Sequence, residues 1–384
     1  MLLPRMLLRW GNLWRWLRIG AAFGALWMVW HIAYPTPIDP YAFSVDMDRH
    51  DSCRPYGWKP YRKPTSNAGV GRSWGRSAEI DSRWEVDEGP PRKVYDLLMI
   101  NTELDWLEIR LNSTWNTVDY YVLVEGRKTF TNLDKPLVLR DNLARFAPYE
   151  SKIIYHEIQY PLNFQPRSTW DMEDLQRNSM LTQVFPLLQG AKAPNLGDVI
   201  VVSDVDEIPR PTTFAVLRDC AFPRRLTLRS RFYYYSFQWR HRGAEEWAHP
   251  QATYYEGPIK TLRPNDLRIG DGGWWPFNRW ESADMPNAAW HCSSCFETME
   301  ELLTKMRSFA HVSMNAAQYR DRARIADRIR RGKDLWDRPG EEYDRIENNT
   351  DVPSFLLQNK ARFRYMLDRD GPNAGFTDYH AKTP

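Results

Sequence analysis

Three carboxylates follow the most apolar stretch of the chain and are the side chains best placed to do chemistry. Asp204, Asp206 and Glu207 come directly after the apolar run of residues 199–202. Carboxylate oxygens bind hard cations such as Mg²⁺ and Mn²⁺, and such a cation can neutralise the charge on a departing diphosphate. Because like charges this close repel one another, we expect a cation between them, with Asp204 and Asp206 as its ligands. The alternative is a solvent-exposed turn before Pro209.

The elements that would carry this cluster indicate an α/β fold. Apolar runs predict strands, and apolar residues at helical spacing predict the helices between them. We predict strands at 94–99, 119–125, 152–156 and 199–202, and helices at 103–111 and 170–188. Two further strands, at 226–235 and 252–259, which could be antiparallel, precede a region that becomes helical near Thr298. Ligands of open α/β sheets bind beyond the carboxyl ends of the strands, which is the predicted position of the acidic cluster.

Composition indicates a globular chain. The 384 residues are 42% hydrophobic and 26% charged, with a net charge of +3, so disorder is not expected. Asp321 and Asp327 interrupt the arginines of residues 320–331, which predicts a solvated helix face and no nucleic-acid partner. The 18 Trp and 19 Tyr residues would suit a carbohydrate site, because ring faces pack against the C–H faces of sugars. A large aromatic core is the alternative.

The amino terminus predicts a membrane anchor. Residues 19–34 are mostly apolar, with arginines before them and no acidic residue until Asp39. This run is shorter than the roughly 20 residues of a spanning helix, but 13–34 reaches that length if Arg15 and Arg18 extend to the lipid headgroups. The positive-inside rule then makes residues 1–12 a cytosolic tail and places the rest in the lumen of the Golgi or another secretory compartment. A cleaved signal peptide or a peripheral amphipathic helix are the alternatives. We assign residues 35–92 to a stem or linker and 93–384 to the catalytic domain.

The four cysteines fit a lumenal location but leave their pairing open. Cys53, Cys220, Cys292 and Cys295 allow three complete pairings. The last two form a CxxC beside His291, which offers too few ligands for a closed zinc site, so structural disulfides or buried thiols are favoured. Two glycosylation sequons begin at Asn112 and Asn348.

Several long motifs resemble those of glycosyltransferase family 17. They occur in order as YDLLMINTELDWLEIRL, VDYYVLVEGRKTFTNLDKPL, VIVVSDVDEIPRP, WHCSSCF and KARFRYMLD, between about residues 93 and 370. The resemblance implies a GT-A-like fold with a mostly parallel central sheet and a nucleotide-sugar donor, usually UDP-GlcNAc. It also implies a divalent cation and inversion at the anomeric carbon. One acceptor that the family implies is a mannose of an N-glycan on a glycoprotein, through a β-1,4 linkage.

The resemblance assigns roles to particular residues. Asp204 and Asp206 match the acidic motif of the family, with Glu207 beside them as a further donor contact. The segment expected to hold the nucleotide supplies Glu125, Arg127 and Thr129, although Glu125 could instead cap the end of a strand.

An inverting transferase also needs a general base. We expect it to be Asp271 or Glu297, with Glu281 and Asp284 as alternatives. Phosphate oxygens could be held by Lys260, Arg263 and Arg268, or these three could simply be solvated.

Other functions remain open. Residues 275–289 separate a Gly-Gly-Trp motif from the WHCSSCF motif, so the acceptor side could differ from that of the family. The protein could be a transferase of the same fold with another donor or acceptor, or an inactive carbohydrate-binding protein. A metal-dependent hydrolase would need more histidines near the acidic cluster than the eight scattered along the chain.

Overall fold

A ten-stranded sheet forms the centre of the structure. The computed structural model describes residues 52–61, 91–243, 246–273, 277–308 and 312–380. The strands are β1 Lys59–Pro60, β2 Val94–Met99, β3 Tyr120–Glu125, β4 Ile153–Glu157, β5 Val199–Asp204, β6 Glu207–Pro209, β7 Cys220–Ala221, β8 Arg225–Tyr234, β9 Ser236–His241, β10 Gln251–Tyr254, β11 Ser282–Ser293 and β12 Tyr343–Arg345.

The α-helices alternate with the strands in the first half and follow them in the second. They are α1 Leu104–Thr114, α2 Val138–Asp141, α3 Thr169–Ser179, α4 Pro211–Asp219, α5 Pro264–Ile269, α6 Met299–Ser308, α7 Arg322–Arg330, α8 Ser354–Gln358 and α9 Arg364–Leu367. A 3-10 helix, Leu143–Lys152, precedes β4, and a π-helical turn, Met180–Val184, extends α3.

The sheet is mixed, which corrects the expectation of a mostly parallel one. Its order is β12-β9-β8-β10-β5-β2-β3-β4, with β11 beside β8 and β6 beside β11. Strands β5, β2, β3 and β4 are parallel, as predicted. Strands β10 and β9 run antiparallel to their neighbours. For β8 and β9 the reason is a tight turn at Tyr235, with φ of 65°, which returns the chain directly where a parallel neighbour would need a crossover.

Apolar side chains cover both faces of the parallel strands. Leu98 belongs to a cluster with Leu107 of α1, whereas its neighbour Leu97 belongs to another with Met180 and Val184 beyond α3. Alternate residues of a strand point to opposite faces, so a strand buried on both faces reads as the continuous apolar run that the sequence contains. The predicted strand at 94–99 is confirmed residue for residue.

Residues 52–61 pack against the domain, although they were predicted to belong to the stem. Cys53 forms a disulfide with Cys220, and Cys292 forms one with Cys295. Strand β1 pairs with β7 next to the first of these bonds. The predicted anchor, residues 13–34, lies outside the described residues, and within the described ranges no helix has the length and apolarity to cross a membrane.

Candidate active site

Arg110 fixes the backbone of the acidic turn that follows β5. Its guanidinium forms a buried ion pair with Asp96 of β2, with contacts of 2.6 and 2.7 Å. Arg110 Nη1 donates to the carbonyl oxygens of Asp204 and Glu207 at 3.3 and 2.5 Å. Its Nη2 donates to Ser203 Oγ at 2.8 Å. A buried charge pair between β2 and α1 therefore positions the turn. Both residues lie in the motif YDLLMINTELDWLEIRL, to which the sequence assigned no role at the site.

Two further arginines neutralise the carboxylates of Asp204 and Glu207. Arg177 Nη1 donates to Asp204 Oδ1 at 3.0 Å, and Arg268 Nη2 donates to Asp204 Oδ2 at 2.7 Å. Arg268 also binds both oxygens of Glu207, each at 2.8 Å. Trp247 Nε1 donates to Glu207 Oε1 at 2.8 Å. Glu207 is completely buried, whereas the side chain of Asp204 is 37% exposed, so only Asp204 presents its carboxylate to solvent.

These contacts set the pKa values of the two acids. Burial alone would raise the pKa of Glu207, but Arg268 holds it well below its ordinary value of 4.5. Burial would also raise the pKa of Asp204, but the charges of Arg268 and Arg177 lower it from its ordinary value of 3.8. Both groups are therefore ionised at neutral pH.

Asp206 has a separate set of partners. Lys305 of α6 lies 3.3 Å from its Oδ2, and His291 Nδ1 lies 3.7 Å from its Oδ1. Burial would lower the pKa of Lys305, but the charge of Asp206 outweighs this and raises it. The His291 ring stacks on Phe232 and Trp247, with centroids 5.0 and 5.2 Å away. Asp206 thus lies between a lysine and an aromatic wall.

Two cavities meet at these carboxylates. The polar cavity, about 100 Å³, is lined by Met99, Lys128, Thr129, Glu173, Gln176 and Arg177. The aromatic cavity, about 410 Å³, is lined by Phe232, Tyr234, Glu246, Trp247, Trp336 and Glu341. Both cavities are also lined by Asp204, Asp206 and Lys305. A group bound in one cavity would therefore meet a group bound in the other at these three side chains.

The three acids were expected to repel one another without a cation, but the protein itself relieves this repulsion. Arg177, Arg268 and Lys305 supply the opposite charge. Within the described ranges, no group of three His, Cys, Asp or Glu side chains could hold a metal by itself. Asp204 and Asp206 alone still fit a cation that keeps waters and shares substrate phosphates, because Mg²⁺ is usually bound by one or two carboxylates in this way.

The residues expected to hold the nucleotide lie at different positions in the structure. Thr129 lines the polar cavity. Glu125 is buried and accepts hydrogen bonds from the backbone N–H groups of Leu139 and Arg140 at 2.9 and 3.1 Å. Its carboxylate thereby caps the start of α2, whereas the alternative to a donor contact was a cap at the end of a strand. Arg127 is 56% exposed and pairs with Glu157 at 2.6 Å, away from the cavity lining.

None of the expected general bases lines either cavity. Asp271 is exposed and accepts from the N–H of Gly272, and Glu297 is partly buried near the chain's final turns. Glu281 pairs with Arg224, and Asp284 pairs with Arg229, at 3.4 and 2.8 Å. Among the described residues, the carboxylates that line the aromatic cavity, apart from those of the acidic turn, are instead Glu246 and Glu341.

The three residues expected to bind phosphate also lie at different positions. Arg268 reaches the acidic turn, but Lys260 and Arg263 line a third cavity elsewhere. Arg177, Lys305 and Trp247 were not among the residues predicted from the sequence to lie at the site. Only the high tryptophan and tyrosine content pointed toward the aromatic cavity.

The chain belongs to glycosyltransferase family 17, since the family model matches residues 77–371. It is 26% identical over 304 residues to the β-1,4-mannosyl-glycoprotein 4-β-N-acetylglucosaminyltransferases of Homo sapiens and Rattus norvegicus. These alignments cover 72% of this chain but 55% of each relative. Among solved structures, the mannosyltransferase PcManGT from Pyrobaculum calidifontis, in complex with GDP-Man and Mn²⁺, aligns at 11% identity over 63% of this chain and 64% of its own, with a TM-score of 0.30. The resemblance stated from the motifs is confirmed.

Proposed function

We propose that the protein transfers a sugar from a nucleotide-sugar donor to a glycan, with inversion at the anomeric carbon. The observation that supports this proposal most directly is that Asp204, Asp206 and Lys305 line both the polar and the aromatic cavity. In this proposal the fold is of the GT-A type, the donor enters the polar cavity and the acceptor enters the aromatic one.

The polar cavity supplies charge for a diphosphate. Lys305, Arg177 and Lys128 line it and would stabilise the negative charge that develops as the nucleotide leaves. Its volume of about 100 Å³ is smaller than ligand sites usually are, so donor binding would displace long side chains such as Lys128. A divalent cation, Mn²⁺ or Mg²⁺, held by Asp204 and Asp206 would add Lewis-acid stabilisation of the diphosphate.

The aromatic cavity supplies a surface for a sugar and a base for its hydroxyl. Trp247, Trp336 and Tyr234 line it. We propose Glu246 as the general base in place of Asp271 and Glu297. Glu246 Oε2 accepts from the N–H of Asn287 at 2.8 Å, and within the described ranges Oε1 has no hydrogen-bond partner. A Glu246→Gln variant should lose roughly 100-fold or more in kcat, while its affinity for the donor should be unchanged.

The identities of donor and acceptor are proposed from the relatives. Their printed name supports UDP-GlcNAc as the donor and a mannose of an N-glycan as the acceptor, through a β-1,4 linkage. A different acceptor is the second candidate. Strand β11 includes residues of the inserted stretch and pairs with β8, which carries the Phe232 and Tyr234 side chains of the aromatic cavity.

We further propose that the protein is a type II membrane protein facing the lumen. Its two disulfides support an oxidising compartment. Asn112 lies in α1 and donates a hydrogen bond to the Glu108 carbonyl oxygen at 2.9 Å, whereas Asn348 lies in an exposed turn with φ of 49°. An N-glycan at Asn348 and none at Asn112 is expected by peptide mapping. Digestion of the domain by protease outside sealed microsomes would contradict the topology.

A donor screen tests the proposed function. The purified full chain is incubated with UDP-GlcNAc, UDP-galactose or GDP-mannose and a pool of N-glycans, with Mn²⁺ or with EDTA. We expect a glycan mass increase of one N-acetylhexosamine with UDP-GlcNAc and Mn²⁺, and little product in EDTA. A full rate in EDTA would contradict the role of the cation, and no product with any donor would favour an inactive carbohydrate-binding protein.

A further inference from the structure

A cavity of about 980 Å³, here called the rear cavity, lies at the other edge of the sheet from the acidic turn. Tyr254, one of its lining residues, pairs with Val199, the first residue of β5. Asp204 is the last residue of the same strand. At about 3.3 Å per residue, five residues separate the two ends by roughly 17 Å. The rear cavity is therefore distinct from the polar and aromatic cavities.

Aromatic rings form one wall of the rear cavity. Trp58 lies 6.3 Å from Phe222, and Phe222 lies 5.8 Å from Tyr254, centroid to centroid. Trp280 also lines the cavity and is 66% exposed. Trp58 belongs to the amino-terminal segment that the disulfide between Cys53 and Cys220 ties to the domain. The segment before the family-matched residues thus completes this wall.

Some charged side chains of the rear cavity form ion pairs, and others could bind a ligand. Arg224 binds Glu256 at 2.6 Å and Glu281 at 3.4 Å. It also donates to the carbonyl oxygen of Lys260 at 2.6 Å. This hydrogen bond fixes the backbone at Lys260.

Three exposed cations remain along the lining, and the described part of the chain gives them no ion pair: Lys59, Lys260 and Arg263. Among the acidic residues of the lining, only Asp266 has no ion pair within the described part of the chain. The unpaired charge of the rear cavity is therefore positive.

We propose that the rear cavity binds an oligosaccharide that carries a carboxylate. Indole rings such as Trp280 offer flat apolar faces for the C–H groups of sugar rings, and Lys260 and Arg263 offer charge-assisted hydrogen bonds to the carboxylate. The volume lies within the range of sites for molecules of this size. Because the site is remote from Asp204, its occupancy would leave the transfer site accessible.

A titration of the full chain with 3′-sialyllactose, followed by ligand-observed NMR, tests this site, with lactose as the uncharged probe. Lys260→Glu should weaken 3′-sialyllactose binding by about tenfold, the worth of a charged hydrogen bond. Trp280→Ala should weaken it by about fivefold. Lys360→Glu makes the same charge change at an exposed lysine outside the rear cavity and should leave binding unchanged, as should saturating UDP.

Each other outcome overturns the proposal. Equal affinity for lactose and 3′-sialyllactose would remove the carboxylate from it. Undetectable binding of both probes, or no effect of Lys260→Glu, would show that the rear cavity is not the site. Displacement by UDP would place the ligand in the transfer site. Because the readout is binding and not transfer, the result is independent of the proposed activity.

Discussion

Arg268 and Glu207 form a two-point ion pair in which each terminal guanidinium nitrogen lies 2.8 Å from one oxygen of a buried carboxylate. Arg268 stands on α5, 61 residues from its partner. The same arginine reaches Asp204 at 2.7 Å. One cation from a short helix thus contacts two acids of the DVDE motif, and Arg177 supplies the second positive charge beside Asp204.

Removal of this cation should destabilise the fold. Arg268→Gln would leave Glu207 buried with an uncompensated charge, and breaking a buried pair in this way costs about 3–5 kcal/mol. Urea denaturation should show this loss in the free energy of unfolding. Arg331→Gln, which removes an exposed pair with Asp327, is the matched control and should change it by less than about 1 kcal/mol. Equal effects of the two variants would contradict the account.

The acidic turn should make stability depend on pH below about 4.5. The pKa of Glu207 is held below its ordinary value of 4.5, so the unfolded chain takes up a proton at a pH where the folded chain does not. The stabilisation is complete above 4.5 and is lost as pH falls toward the folded pKa. In Arg268→Gln this fall should be shallower. Thermal melts between pH 7 and pH 3 measure both slopes, and identical slopes would contradict the assignment.

His249 should add a second dependence at higher pH. Burial, and then the charge of Arg268, lower its pKa from 6.5 to about 4. Between these values the unfolded chain binds a proton that the folded chain excludes, so stability should decrease as pH falls from 6.5 to 4. His249→Gln should flatten this part of the curve and leave the part below 4 in place. An unchanged curve between pH 6.5 and 4 would show that His249 is readily protonated in the folded state.

Glu125 should behave as a structural residue. Glu125→Ala would leave the backbone N–H groups of Leu139 and Arg140 without their acceptor, at a cost of about 2–3 kcal/mol. Arg127→Ala removes only an exposed ion pair and should cost less than about 1 kcal/mol. Calorimetry gives the stabilities, and donor KM should be unchanged in both folded variants. A raised donor KM for Glu125→Ala with unchanged stability would restore its role as a donor contact.

Those parts of the fold that are encoded locally could be predicted from sequence. The apolar run before Asp204 predicts a strand buried on both faces. Because the acids follow it in the chain, the strand and the acidic motif could be predicted together. The partners of those acids were not visible. Arg177 is 27 residues from Asp204, and Lys305 is 99 residues from Asp206. Single basic residues at such distances carry no local pattern.

The antiparallel half of the sheet was also harder to predict. The strand predicted at 226–235 matches β8 within one residue, but β9, which follows after the single residue Tyr235, was not predicted, because no Gly, Pro, Asn or Asp marks the turn between them. Strand β11 contains Pro286 and Asn287 and a register shift, which hides its pattern. The candidates for the general base differ for a related reason, because Asp271 and Glu297 were chosen by their nearness to motifs in the chain, whereas the proposed Glu246 lines the aromatic cavity through the tertiary fold.

The most direct test of the central claim is the rate of GlcNAc transfer from UDP-GlcNAc to N-glycans by the parent chain and by two Asp→Asn variants. Asp206→Asn changes a residue shared by the two cavities, whereas Asp327→Asn changes an acid on the surface of α7. We predict that Asp206→Asn lowers the rate by roughly 100-fold or more while remaining folded, and that Asp327→Asn matches the parent. A folded Asp206→Asn variant with the parental rate would contradict transfer at this site.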